Sequence, residues 1–260
     1  MKYLRITPDN LFQFKRSLKE LEENFLYPLD DDSFSIDHGE NYLRFFDRMG
    51  RTHFYCAHLD GKVIAVGAGV IHHRYKVWYL CDMKVHPDHR GKKLTKKMFQ
   101  RFFLPCYLKA QKGFALTMEN NSGPQNPIMK IMERLPWTPL KTGTRLLFYY
   151  EDSASMHKVL EVLKDSRKGI HFSSIKGIKD LVLKSTGRPI PLLHMEWEDS
   201  GDAQKFETPQ EGHLHMWCLM ETHPHVEKLK ELGIAPKATG LIFHHRMNGT
   251  NWNDLRTSEL

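Results

Sequence analysis

The chain has 260 residues, 40% of them hydrophobic and 27% charged, with a formal charge of +7. That balance describes an ordinary folding protein and excludes disordered, collagenous and membrane-embedded classes. No apolar run approaches the roughly 20 residues that a spanning helix needs, and Met1-Lys2-Tyr3-Leu4-Arg5 does not resemble a signal peptide, so the expectation is a cytoplasmic protein. Cys56, Cys81, Cys106 and Cys218 are scattered without a Cys-x-x-Cys pair, which points to reduced thiols and away from zinc ribbons.

The segment Lys2 to Thr7 reads as a strand, and Pro8-Asp9-Asn10 starts a helix that carries Leu11, Phe14, Leu18 and Leu21 at helical spacing. Residues 28–37 are acidic and rich in breakers, which predicts a loop, and Asn41 to Met49 predicts a short helix. Three strands follow, at His53 to Leu59, Val63 to His72 and Lys76 to Val85, separated by turn residues in the manner of an antiparallel meander. A helix is expected from Leu94 to Leu104, a strand from Phe114 to Met118, a helix from Pro127 to Leu135 and a strand from Thr144 to Tyr150.

The polar run Glu151-Asp152-Ser153 marks a boundary, with one domain at 1–152 and a smaller α/β lobe at 153–260. In that lobe we expect helices over 156–164, 175–184 and 224–232, and strands over 189–197, 213–220 and 240–246. Strand, Pro-led helix and Gly-preceded strand occur in this order both at 114–150 and at 213–246, the pattern a diverged internal duplication leaves.

The chemistry-bearing stretch runs from Tyr79 through Asp82 to Thr95, where a strand enters a turn that opens a helix. The first backbone N–H groups of a helix lack internal partners and lie at the positive end of its dipole, so they bind phosphate. Arg90 and the lysines 92, 93, 96 and 97 add full charges, and Gly91 keeps the backbone accessible. Asp82 stands near the end of the strand as a candidate proton acceptor, a charge that recognises a cationic acceptor, or a stabilising partner for a neighbouring base. Its neighbour Cys81 reads as a small buried hydrophobe rather than a nucleophile. The sixteen histidines form no His-Glu-x-x-His helix and imply no metal site. The basic cluster is not interleaved with aromatics, so nucleic acid is not an expected partner.

Val85-His86-Pro87-Asp88-His89-Arg90-Gly91 resembles the cofactor motif of the GNAT superfamily of N-acetyltransferases, and the order of elements from Lys2 to Tyr150 is similar to that family's layout. The resemblance implies an α/β fold built on a mixed sheet, followed by a second GNAT-like half that has lost its cofactor site. It implies that Arg90, Gly91, Lys92, Lys93, Leu94 and Thr95 surround the pyrophosphate of acetyl-CoA, that the backbone of Met83, Lys84 and Val85 pairs with the pantetheine arm, and that Asn126 hydrogen-bonds it. Lys93 and Thr95 replace small residues usual in the family. The tyrosine that often protonates the departing thiolate is missing, with Met132 near its expected place; Tyr149, Tyr150 or water are the substitutes. The implied activity is transfer of an acetyl group to a primary amine by direct attack. The second lobe would shape the acceptor pocket or a homodimer contact. The alternative is a CoA-binding or protein-interaction module without turnover.

Overall fold

The computed structural model describes residues 1–29, 32–119, 127–133, 140–165, 169–197 and 204–260. The first half contains β1 (Lys2–Ile6), α1 (Leu11–Glu22), β2 (Tyr27–Leu29), β3 (Asp32–Asp37), α2 (Arg44–Met49), β4 (Gly50–Leu59), β5 (Lys62–His72), β6 (Trp78–Val85), α3 (Leu94–Tyr107), β7 (Gly113–Met118), α4 (Pro127–Glu133) and β8 (Lys141–Glu151). The second half continues with α5 (Ser153–Leu163), β9 (His171–Ser174), β10 (Asp180–Leu183), β11 (Leu192–Glu196), β12 (Gln204–Phe206), β13 (Leu214–Met220), α6 (His225–Glu231) and β14 (Ala238–His245). Among the described residues no helix is long and apolar enough to cross a membrane.

Two sequence expectations are corrected. Within residues 28–37, which the sequence predicts as loop, 28–29 and 32–37 are strand: β2 and β3 pair with each other, and β3 pairs antiparallel with β10. The alternation Ser33-Phe34-Ser35-Ile36 is a half-buried strand pattern that the surrounding aspartates obscured. Residues 175–184 are not a helix either. Ile175, Ile178 and Leu181 are spaced as a helix would space them, but Gly177 takes φ +74° and turns the chain into β10.

Eleven strands form one mixed sheet in the order β1-β4-β5-β6-β7-β14-β8-β13-β11-β9-β12. The sheet does not stop at residue 152. The closing strand of each half pairs with the other half: β8 lies against β13, and β14 returns to lie between β7 and β8. One face carries α1, α2, the β2-β3-β10 sheet and the segment after Asn251, over a core that includes Phe14, Phe46, Phe54, Phe148 and Ile242. The other face is covered in the first half by α3 and α4 through Met98, Phe99, Phe102 and Met132, and in the second by α5 and α6 through Met156, Val159 and Leu229. Removing each such side chain from water contributes roughly 1.5–3 kcal/mol. Glycines in β5 set how closely α3 approaches: a Cβ on Gly67 would lie 2.5 Å from Phe102 Cε1, and one on Gly69 2.6 Å from Cys106 Sγ.

Candidate active site

The paired part of β6 and β7 is short. They run parallel only from Trp78 against Gly113 to Leu80 against Ala115, and then part. From Cys81 to Val85, β6 keeps its partner β5 on one side and, among the described residues, has no strand partner on the other. The strand then passes through a single 3-10 turn at Pro87–His89 into α3. Gly91 at φ +77° and Lys93 at φ +58° bend the chain so that the helix opens beside the parted strands. Lys97 N–H closes the first bond back to Lys93 O, and no side chain caps the helix. The N–H groups of Leu94 and Thr95, ahead of that first bond, point out of the start of the helix. Arg90, Gly91, Lys92 and Lys93 are exposed, Thr95 is half-buried and Leu94 anchors the turn in the core beneath α3. These residues present backbone donors and positive charge suited to a pyrophosphate.

Asp82 reaches its position through a bulge. Val66 pairs with Lys84 and Ala68 with Cys81, so Asp82 and Met83 both oppose Gly67. Asp82 sits in the left-handed region at φ +53°, a conformation in which Asp is among the few tolerated side chains. Strict alternation would point neighbouring residues to opposite faces; with the bulge, Cys81 and Asp82 line the same cavity. Met83 instead packs with the α3 cluster.

The Asp82 carboxylate belongs to a buried polar network. Tyr42 Oη lies 2.8 Å from its Oδ2 and 3.1 Å from Glu22 Oε1, donating to one at a time. Lys84 Nζ donates to Asp82 Oδ1 and, at 3.0 Å, to Glu22 Oε1. His38 Nδ1 is 2.7 Å from the same Glu22 oxygen. Burial opposes the charge on Lys84, but Asp82 and Glu22 outweigh it and hold the ammonium well above its ordinary range. Burial likewise works against the Glu22 carboxylate, yet Lys84 and His38 bring it down to about 2. Burial, with Asp82 and Glu22, raises the Tyr42 hydroxyl, so it stays a donor. Lys84 thus contributes its side chain to Asp82, while only its backbone lies along the open side of β6.

The cavity in front of Asp82 has a volume of about 300 Å³. Its walls are mainly apolar, with Phe34, Phe45, Leu116, Met118 and Met216 among them, and its polar lining includes Asp82, Glu119, Tyr150 and Lys179. Burial, with Asp82 alongside, holds the Cys81 thiol well above its usual value, which leaves it a neutral thiol. Tyr150 is on the cavity side, its hydroxyl raised by burial. Tyr149 is not brought to this site. It points to the opposite face, fully buried, and its ring stacks on Trp217 with centroids 4.2 Å apart. Adjacent strand residues face opposite ways, so only one of the two tyrosines can share the cavity. Met132 packs beneath α3. Asn126 lies outside the described residues. Sequence reasoning missed Glu22, His38, Tyr42 and Lys179. Only Glu22 left a signal, as an acidic residue four positions after Leu18 on the apolar face of α1.

Residues 17–114 match the acetyltransferase (GNAT) family. Across 282 aligned positions, 99% of this chain and 80% of its counterpart, the sequence is 21% identical to an uncharacterised protein of Acanthamoeba polyphaga mimivirus. A tandem GNAT protein from the clavulanic acid biosynthesis pathway is similar in fold, with a TM-score of 0.54 at 10% identity, over 94% of this chain and 97% of that one. A Pyrococcus horikoshii protein assigned to the acetyltransferases gives a TM-score of 0.53 at 10% identity, over 98% and 92% of the two chains. The mixed sheet in two halves is therefore a tandem GNAT fold.

Proposed function

We propose that this chain, which belongs to the GNAT family through residues 17–114, moves an acetyl group from acetyl-CoA to a primary amine by direct attack within a ternary complex. The observation that carries this reading is the parting of β6 and β7 immediately beside the basic, uncapped start of α3. Arg90 to Thr95 would hold the pyrophosphate, and the open backbone of Met83 to Val85 would pair with the pantetheine arm. Acetyl-CoA supplies the activated acyl group. The amine nitrogen bonds to the acyl carbon, the carbon–sulfur bond breaks, and the proton lost by the amine and the proton gained by the thiolate balance.

Asp82 faces the cavity as an anion fixed by Lys84 and Tyr42. It attracts the acceptor's ammonium form and receives its proton directly or through water. Tyr150 or water returns a proton to the sulfur. The cavity is lined by residues of α2, β3 and the second half, so an acceptor bound there would be enclosed by both halves.

Calorimetric titration with acetyl-CoA, on wild type and Arg90→Ala, followed by a thiol-release assay with a panel of primary amines, tests the reading. The substitution is expected to weaken binding about tenfold, the loss of one charge-assisted contact, and at least one amine to release thiol. Absence of acetyl-CoA binding at millimolar concentration would refute the cofactor site; binding without thiol release from any amine would support the non-catalytic alternative.

A further inference from the structure

An acceptor that arrives as an ammonium loses two protons on its way to an amide, one before its nitrogen can attack and one as the new bond forms. The departing sulfur regains only one. Asp82 is a single carboxylate and holds one proton, and its two oxygens already accept from Lys84 and Tyr42. The other proton needs a second acceptor at the cavity.

His38 follows β3 and lines the same cavity as Asp82. Its ring packs against Tyr42 and Phe46, with centroids 4.4 and 5.5 Å away, and is almost fully buried. Its Nδ1 lies 2.7 Å from Glu22 Oε1. Glu22 is ionised near neutrality, and an ionised carboxylate only accepts, so Nδ1 carries the hydrogen. In the neutral ring the lone pair is then on Nε2. Among the described residues Nε2 has no hydrogen-bond partner. The cavity's lining includes His38 but not Glu22. The two nitrogens of an imidazole point away from each other, so with Nδ1 turned to Glu22 it is Nε2 that faces the cavity.

Other polar groups of the lining serve less well. His194 is brought down to about 3 by burial, with Lys179 and Arg48 nearby, and so holds no proton near neutrality. The Glu119 carboxylate accepts from Arg145 Nε at 2.8 Å. Cys81 and Tyr150 keep their own protons, as does Lys179 at about 8. His38 differs in having a carboxylate directly behind it, which stabilises an imidazolium once one forms.

Taking the acetyl-transfer reading as its premise, we propose that His38 is a second catalytic base. Asp82 takes the first proton from the ammonium, the nitrogen attacks the acyl carbon and the carbon–sulfur bond breaks. His38 Nε2 takes the second proton, directly or through one water, leaving an imidazolium paired with Glu22. Tyr150 or water protonates the sulfur. One of the two held protons then refills that donor and the other passes to water, which returns Asp82 and His38 to their starting forms.

The test uses an alkylamine that the panel shows to be acetylated and its β,β-difluoro analogue, whose nitrogen is largely neutral near neutrality and has one proton fewer to lose. Kinetics are measured on wild type, on His38→Asn, whose amide keeps a donor toward Glu22, and on Glu22→Gln, which keeps the ring and removes the charge behind it. Acetyl-CoA is titrated into each protein, and its affinity is expected to be unchanged. In both variants kcat/KM for the alkylamine is expected to fall about hundredfold, the scale of a lost general base, and for the difluoro analogue by no more than about threefold. Equal losses with the two amines would show a structural role, and rates equal to wild type would show that His38 takes no proton; either result overturns the inference. If His38→Asn does not melt cooperatively, Glu22→Gln decides by the same comparison. Absence of thiol release from every amine with the wild type would instead remove the transfer reading, so the two failures are told apart.

Discussion

Glu22 ends α1 with its side chain turned inward, and its Oε1 is shared by Lys84, His38 and Tyr42. A carboxylate in that setting is tied to stability by its proton affinity. Its folded-state value of about 2 lies below the ordinary 4.5, so the unfolded chain takes up the proton first as pH falls. The contribution is fully present above pH 4.5 and is lost progressively down to about 2. A displacement of that size corresponds to roughly 3 kcal/mol. Glu22→Gln is therefore expected to lower stability by about that amount at neutral pH, in the range found when one partner of a buried pair is removed. It should also flatten the acid limb between pH 4.5 and 2. Urea unfolding at several pH values measures both effects. Parallel pH profiles for the two proteins would show that Glu22 carries no such linkage.

Between residue and chemistry stands the bulge of β6. Read as a regular strand, the sequence would put Asp82 on the same face as Leu80, under α3. Its left-handed backbone places it beside Cys81 at the cavity instead. Asn tolerates that backbone nearly as well as Asp, so Asp82→Asn is expected to fold, to bind acetyl-CoA within about twofold of wild type, and to lower kcat/KM by at least about tenfold, the scale of a lost proton acceptor. Steady-state kinetics alongside the acetyl-CoA titration measure this, and unchanged kinetics would remove Asp82 from the reaction.

The same scale shows what a sequence can carry. The run from Val85 to Thr95 was legible because its turn chemistry and charge are local. The meander was legible because its aromatic and β-branched runs are broken by turn residues. The bulge was not, since it depends on the register of Val66 and Ala68 against β6. Tyr149 and Tyr150 were indistinguishable for a related reason: which of the two faces the cavity depends on the sheet that forms around them. Lys179 was illegible because its segment is spaced like a helix and joins the site only when β10 finds β3.

Across the whole molecule, the exchange of closing strands decides what can fold alone. β14 lies between β7 and β8, so residues from the end of the chain complete the sheet of the half that carries the cofactor motif. Ile242 and Phe243 are fully buried there, on opposite faces of the sheet. Losing the strand removes both side chains, about 2–5 kcal/mol for each, and also leaves the facing edges of β7 and β8 unpaired. That total is comparable with the 5–15 kcal/mol that stabilises a typical folded chain. A chain cut after residue 152 is therefore expected to unfold without a cooperative transition and to self-associate through its open strand edges. Co-expression with residues 153–260 should restore a cooperative melt. Thermal melting followed by circular dichroism, together with gel filtration, distinguishes the cases. A monomeric 1–152 that melts cooperatively near the temperature of the full chain would mean that the first half closes its own sheet and that strand exchange joins two units already stable. If the cut chain collapses as expected, the second half is part of the core of the first half as well as a wall of the cavity in front of Asp82, and the two roles constrain the same residues.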